Sequence, residues 1–128
     1  MKKLVILILI ISLISGCQSK NNNLKNEEIR KIDQSTVYAS INDNNIYIID
    51  VREPDEYSQS HIENAYNVPY TSITDISKLN INLDSKIIVY CQSGNRSRMA
   101  ANRLIEMGYT NVYDMGGIIY WNYELVTE

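Results

Sequence analysis

Apolar and polar positions sort this chain into three stretches before any residue is singled out. Met1-Lys2-Lys3 is a short basic start, followed by Leu4 to Ile14, an apolar run broken only by Ser12. As a helix that run reaches about 16 Å, roughly half a hydrocarbon core, so it suits the apolar segment of a secretory signal better than a membrane span. Gln18 to Asn26 is polar apart from Leu24 and cannot build a core, which predicts a flexible tether over residues 17–26. From residue 27 to residue 128, apolar runs and helical stripes alternate. Ile46 to Asp50 and Lys86 to Tyr90 are continuous apolar runs rich in β-branched residues, as expected of strands covered on both faces of a parallel sheet. Glu28 to Ile32, Ala65 to Val68 and Asn111 to Tyr113 are weaker strand candidates. Between them, Gln34 to Ile41 reads as a helix with Asp33 or Ser35 near its start, and Pro54 to Tyr57 as a single turn with proline at a permitted first position. Ser97 to Met107 is the best helix: Ala100, Leu104 and Met107 share one stripe beside Ala101 and Ile105, and Gly108 is placed to end it left-handed. The alternation predicts one α/β layer sandwich, with no internal repeat.

Composition narrows the functions open to such a domain. The chain has 128 residues, 45% apolar and 21% charged, which fits one ordinary domain and argues against disorder or a disulfide scaffold. Net charge is −3 and the basic residues are scattered, so nucleic acid is not an expected partner. Two cysteines and one histidine are too few for a four-ligand Cys/His zinc site, and no metal or cofactor is expected. The sequence Ile14-Ser15-Gly16-Cys17 closes the apolar run and resembles the lipobox of bacterial lipoproteins. That likeness implies a signal peptide over residues 1–16, a lipid on Cys17, and anchorage at the extracytoplasmic face of a bacterial membrane. Loss of residues 1–16 would remove two lysines and no acid, leaving ten basic against fifteen acidic side chains, a net of −5. With Cys17 lipidated, the domain keeps a single thiol and no internal disulfide is available.

That thiol is placed for chemistry. In open parallel sheets, ligands sit beyond the carboxyl ends of the strands. Two polar segments leave the two clearest strands there: Asp50-Val51-Arg52-Glu53 and Cys91-Gln92-Ser93-Gly94-Asn95-Arg96. The second runs directly into a helix N-terminus. Gly94 and Asn95 accept unusual backbone angles, which lets successive N–H groups turn inward as a nest for an anion. Arg96 and Arg98 add positive charge. Helix N-termini and cationic neighbours pull a cysteine pKa down from about 8.5 to about 3.5–7.5. The expectation is a nucleophilic, partly exposed thiolate at Cys91.

At this point the residues match a family. Ile49-Asp50-Val51-Arg52-Glu53-Pro54-Asp55-Glu56-Tyr57, His61-Ile62, Ala65 to Pro69, Cys91 to Ser97, Met115-Gly116-Gly117 and Trp121 resemble, in order, a single-domain rhodanese. The resemblance implies a three-layer α/β/α sandwich around a five-stranded, mainly parallel sheet. It also implies a sulfurtransferase, in which Cys91 takes a sulfane sulfur from a small anionic donor such as thiosulfate. The resulting persulfide passes that sulfur to cyanide, to a thiol, or to a protein thiol partner. In this scheme Gln92, Ser93, Gly94, Asn95 and Arg96 face the substrate, with Arg96 either gripping the donor's anionic end or bracing the loop. Asp50, Arg52 and Ser97 support them from behind, and Gly116-Gly117 makes a tight turn nearby. The chain departs from the family pattern at Ser60, usually Gly, and at Glu63-Asn64, often Pro-Gly. His61 is read as structural rather than as a catalytic base. Cysteine phosphatases and arsenate reductases on the same fold are the nearest rivals, but they carry five residues between Cys and Arg, where four separate Cys91 from Arg96. A non-catalytic binding module is the remaining alternative, usually marked by loss of the cysteine, which is present here.

Overall fold

The computed structural model describes residues 29–128. The expected signal peptide, the lipid site at Cys17 and the tether lie outside the described residues. Five strands form one sheet: β1 (Arg30–Lys31), β2 (Ile46–Asp50), β3 (Tyr66–Asn67), β4 (Lys86–Cys91) and β5 (Val112–Gly117), in the order β1-β5-β4-β2-β3. Every pairing in the sheet is parallel. Helices α1 (Gln34–Ser40), α2 (Pro54–Gln59) and α3 (Asn95–Glu106) alternate with the strands, and 3₁₀ turns occupy Tyr70–Leu79 and Ile118–Tyr120.

Local chemistry explains where the helices begin. Asp33 caps α1, its carboxylate accepting from the Thr36 amide at 2.9 Å. Helix α2 opens with a reciprocal capping box between Glu53 and Glu56, with Pro54 in the first turn. Gly108 takes φ +100° just past α3, as expected of a glycine that ends a helix.

Strand parity then sorts the core into two layers. Along β4, Ile87, Val89 and Cys91 face one side, where they pack with Ala100, Ala101 and Leu104 of α3 and with Ile73 and Ile76 of the longer 3₁₀ segment. Ile88 and Tyr90 face the other side, against Val37, Ile41, Ile62 and Ile118. The same alternation along β2 puts Ile49 with the first group and Ile48 with the second. Both faces are covered, which gives the expected α/β/α sandwich.

Two expectations change. The weak strand at Asn111 to Tyr113 is a six-residue strand that runs on through Gly116 and Gly117, so those glycines do not make a tight turn. Instead a bulge occurs within β5: Val89 pairs with Asp114, but Tyr90 pairs with Gly116, leaving Met115 as the extra residue. Gly116 takes φ +89° there, and its amide donates to the Asp114 carboxylate at 2.8 Å. The helix expected from Ser97 begins two residues earlier, at Asn95.

Candidate active site

The geometry around Cys91 follows from the end of β4. Cys91 is the last residue of that strand, and parity turns its side chain onto the α3 face. The chain then folds back over it. Gly94, at φ +111°, is the N-cap of α3, and its amide donates to Cys91 Sγ at 3.0 Å. An N–H aimed at sulfur sets a fixed partial positive charge against that atom. The first-turn amides of Asn95, Arg96 and Ser97 have no carbonyl four residues back inside α3 and crown the same end of the helix. Ser97 is fully buried, and its hydroxyl donates to the Gly94 carbonyl at 3.1 Å, locking the left-handed residue. Asn95 is the first helical residue and takes no unusual backbone angle, so Gly94 alone makes the turn.

Cys91 is 1% exposed, which corrects the expectation of a partly exposed thiol. The cause is the same parity that places it: an odd position on β4 points into the α3 layer, and the loop that supplies the amide also roofs the sulfur. Gln92, Ser93 and Asn95 of the same loop are themselves exposed.

A buried ion pair supports the loop from the neighbouring strand. Asp50 is fully buried and Arg52 is 4% exposed. The Arg52 Nη2 donates to Asp50 Oδ2 at 2.7 Å and to the Ser60 carbonyl at 2.7 Å, and Nη1 reaches Gln92 Oε1 at 3.3 Å. The guanidinium lies 5.8 Å from the centroid of the Tyr90 ring. Burial pulls Arg52 toward the neutral form, but its bonds to Asp50 more than offset this and hold its pKa above the ordinary value. Burial, and then the Asp50 charge, push the Tyr90 hydroxyl well above the usual phenol range. That hydroxyl accepts from the Ile62 amide at 3.1 Å. Asn67 of edge strand β3 donates to the carbonyls of Asp50 and Arg52, at 3.1 and 2.9 Å, and fixes the β2 turn.

Arg96 lies 30% exposed, and its fork closes on Glu56: Nη1 to Oε2 at 2.7 Å and Nη2 to Oε1 at 2.9 Å. The Arg96 bonds hold the Glu56 carboxyl down at about 2, below its ordinary 4.5. The Arg96 pKa is raised in turn, by Glu56 first and by the nearby Cys91 sulfur as well. In this structure Arg96 therefore ties the Cys91 loop to α2.

A second support comes from β5. Gly117 pairs with Cys91, and a Cβ there would sit 2.6 Å from the Gln92 carbonyl oxygen and 2.9 Å from Ser93 Cα. The Ile119 amide donates to that Gln92 carbonyl at 3.2 Å. Asp114, fully buried and paired with Lys31 at 2.7 Å, sets the bulge that aims these groups. Glu56, which the sequence shows only as part of the family motif, joins the site here, as do Tyr90, Asp114 and Ile119. Nothing local in the sequence signals the contact of Glu56 with Arg96, forty positions away.

His61 makes none of these contacts. Its ring stacks on Tyr57 at 3.7 Å, Nδ1 lies 2.8 Å from the Tyr57 carbonyl oxygen, and its backbone bridges to Val126. Among the described residues, no group of three or more His, Cys, Asp or Glu is placed to hold a metal. The two clefts described, of about 580 and 370 Å³, lie away from Cys91; Tyr47 and Tyr66 line one, Tyr70 and Arg103 the other.

Comparison with known proteins agrees with the fold. A family model described as a rhodanese-like domain matches residues 33–124. The chain belongs to the rhodanese-like family. It is 38% identical over 87 residues to a putative mitochondrial thiosulfate sulfurtransferase of Schizosaccharomyces pombe, covering 59% of this chain and 61% of that one. It is also 38% identical over 71 residues to the thiosulfate sulfurtransferase PspE of Escherichia coli K12, covering 55% of this chain and 68% of that protein. The chain thus spans about three fifths of the length of the fission yeast relative. Among solved structures, a rhodanese with anions from E. coli superposes with a TM-score of 0.61 at 33% identity, over 65% of this chain and 99% of that one. A rhodanese-related protein from Thermoplasma volcanium gives 0.66 at 33% identity, over 77% and 99%.

Proposed function

We propose that this rhodanese-like domain is a thiosulfate-type sulfurtransferase that works through a persulfide on Cys91. The observation that carries the reading is the Gly94 amide on Cys91 Sγ at the head of α3. A fixed donor aimed at one sulfur stabilises an anion before and after that atom gains a second sulfur. In the first half-reaction the Cys91 thiolate attacks the outer sulfur of thiosulfate. The S–S bond of the donor breaks, sulfite leaves with the bonding pair, and the enzyme holds Cys91–S–S⁻. In the second, cyanide or a thiolate attacks the terminal sulfur and the Cys91 thiolate departs. No net oxidation is required. The first-turn amides of α3 face the donor's charge, and the Asp50–Arg52–Gln92 chain holds the loop in register.

Because Cys91 is covered, the donor must enter through the exposed Gln92–Asn95 loop. The reading therefore requires that loop to part for a small anion. The lipobox-like Ile14-Ser15-Gly16-Cys17 supports a further part of the proposal, that the domain is carried on a lipid at the extracytoplasmic face of a bacterial membrane.

Steady-state thiocyanate formation from thiosulfate and cyanide tests the activity. The expected result is turnover by the wild type and none by Cys91→Ser. Equal rates for both proteins, or hydrolysis of an aryl phosphate with no thiocyanate, would replace this reading with another.

A further inference from the structure

Arg96 stands two residues beyond Gly94, in the first turn of α3 directly after the Cys91 loop, and the Cys91 sulfur helps to raise its pKa. A planar guanidinium in that position is suited to a doubly charged oxyanion, which it binds through two parallel N–H bonds. In this chain both bonds are taken. Glu56 fills the Nη1/Nη2 fork end-on, at 2.7 and 2.9 Å, as an incoming oxyanion would. Glu56 is itself held in place, since its Oε2 also accepts from the Glu53 amide at 2.9 Å in the capping box of α2. Rotating the carboxylate away from Arg96 thus gives up the ion pair and disturbs the box that starts α2. A donor with a dianionic head must either displace this carboxylate or bind beside it, next to a negative charge. A donor with one charge pays less of that repulsion.

We propose that Glu56 is a specificity-determining residue: by occupying the Arg96 fork, its carboxylate denies a dianionic donor its cationic grip and tilts the site toward sulfane-sulfur donors of single charge. The inference rests on the sulfurtransferase reading and adds the class of donor. Methanethiosulfonate is the matched probe. It is a monoanion whose terminal sulfur transfers to the Cys91 thiolate as its S–S bond breaks and methanesulfinate leaves, so atoms and charge balance as they do with thiosulfate.

The experiment compares kcat/KM for thiosulfate with kcat/KM for methanethiosulfonate, cyanide being the acceptor, in the wild type and in Glu56→Gln. The ratio does not depend on the fraction of protein that is folded, so partial loss of stability leaves it readable. Glu56→Gln is expected to raise the thiosulfate-to-methanethiosulfonate ratio about tenfold, mainly through KM for thiosulfate, because the freed fork gains a charge-assisted bidentate contact. The double variant Glu56→Gln/Arg96→Ala keeps the pair's net charge and removes the fork, and its ratio is expected to return to within about twofold of the wild type. A ratio that stays level or falls in Glu56→Gln overturns the proposal, as does a double variant that keeps the full gain. Absence of thiocyanate with both donors in the wild type would instead remove the sulfurtransferase reading itself, so the two failures are told apart.

Discussion

Arg52 and Arg96 both reach the Cys91 loop and both are paired with a carboxylate, yet water divides them. The Arg52–Asp50 pair is 4% and 0% exposed and spends its remaining bonds on the Ser60 carbonyl and Gln92. The Arg96–Glu56 pair is 30% exposed on each side. Two charges removed from water together are a fixed part of the fold, because neither can be left alone. Two charges at a wet rim add little to stability but stay within reach of an arriving ion. The first pair is therefore suited to holding the loop still, and the second to deciding what meets it.

The sharpest way to break this contrast is to unpair the buried arginine. Asp50→Asn leaves the Arg52 charge inside the protein without its counter-ion, and is expected to destabilise the domain by about 3–5 kcal/mol, read as a lower urea midpoint. Glu56→Gln, at the other pair, is expected to cost no more than about 1 kcal/mol. Equal losses would mean that the difference in burial does not matter.

Next in size is a change to the wall rather than to either pair. Gly117→Ala would place a methyl group against the Gln92 carbonyl and Ser93 Cα, two backbone sites that cannot turn aside as a side chain would. The loop must shift, and a displacement of that order at a reacting atom costs about a hundredfold in rate. The expected outcome is a folded protein by circular dichroism with kcat down about a hundredfold. A variant with full activity would show that the β5 buttress does not position the sulfur.

The smallest effect is on pH. The Glu56 carboxyl is held at about 2 in the fold against an ordinary 4.5. Its pairing therefore contributes stability that is present above about pH 4.5 and lost as pH falls toward 2. Urea midpoints of the wild type and Glu56→Gln should converge across that window and keep a constant gap from pH 5 to 7. A gap unchanged down to pH 2 would show that the carboxylate's charge is not what Arg96 holds.

How much of this was legible from residues alone follows from how far each contact reaches along the chain. Strands β2 and β4 were plain because β-branched runs with both faces buried leave no polar interruption. The sequence suggests that strand β5 stops at Tyr113, since Asp114, Gly116 and Gly117 look like turn residues, yet Asp114 is in the core with Lys31 as partner and Gly116 serves a bulge. The 3₁₀ stretch over Tyr70–Leu79 went unread since Ile73 and Ile76 recur too briefly among threonines, serines and charges. The cysteine loop was legible as a Gly-containing strand-to-helix turn. Its sulfur's burial was not, because it depends on which face of the sheet an odd position meets. Contacts between residues 52 and 92, and between 56 and 96, span forty positions, and no local pattern announces them.

The central claim is that one sulfur atom, held under the Gly94 amide, is the covalent carrier. Intact-mass measurement of the domain after thiosulfate treatment tests this directly. The account predicts a gain equal to one sulfur atom, discharged by cyanide and absent in Cys91→Ser. An unchanged mass in the wild type, or the same gain in Cys91→Ser, would contradict it.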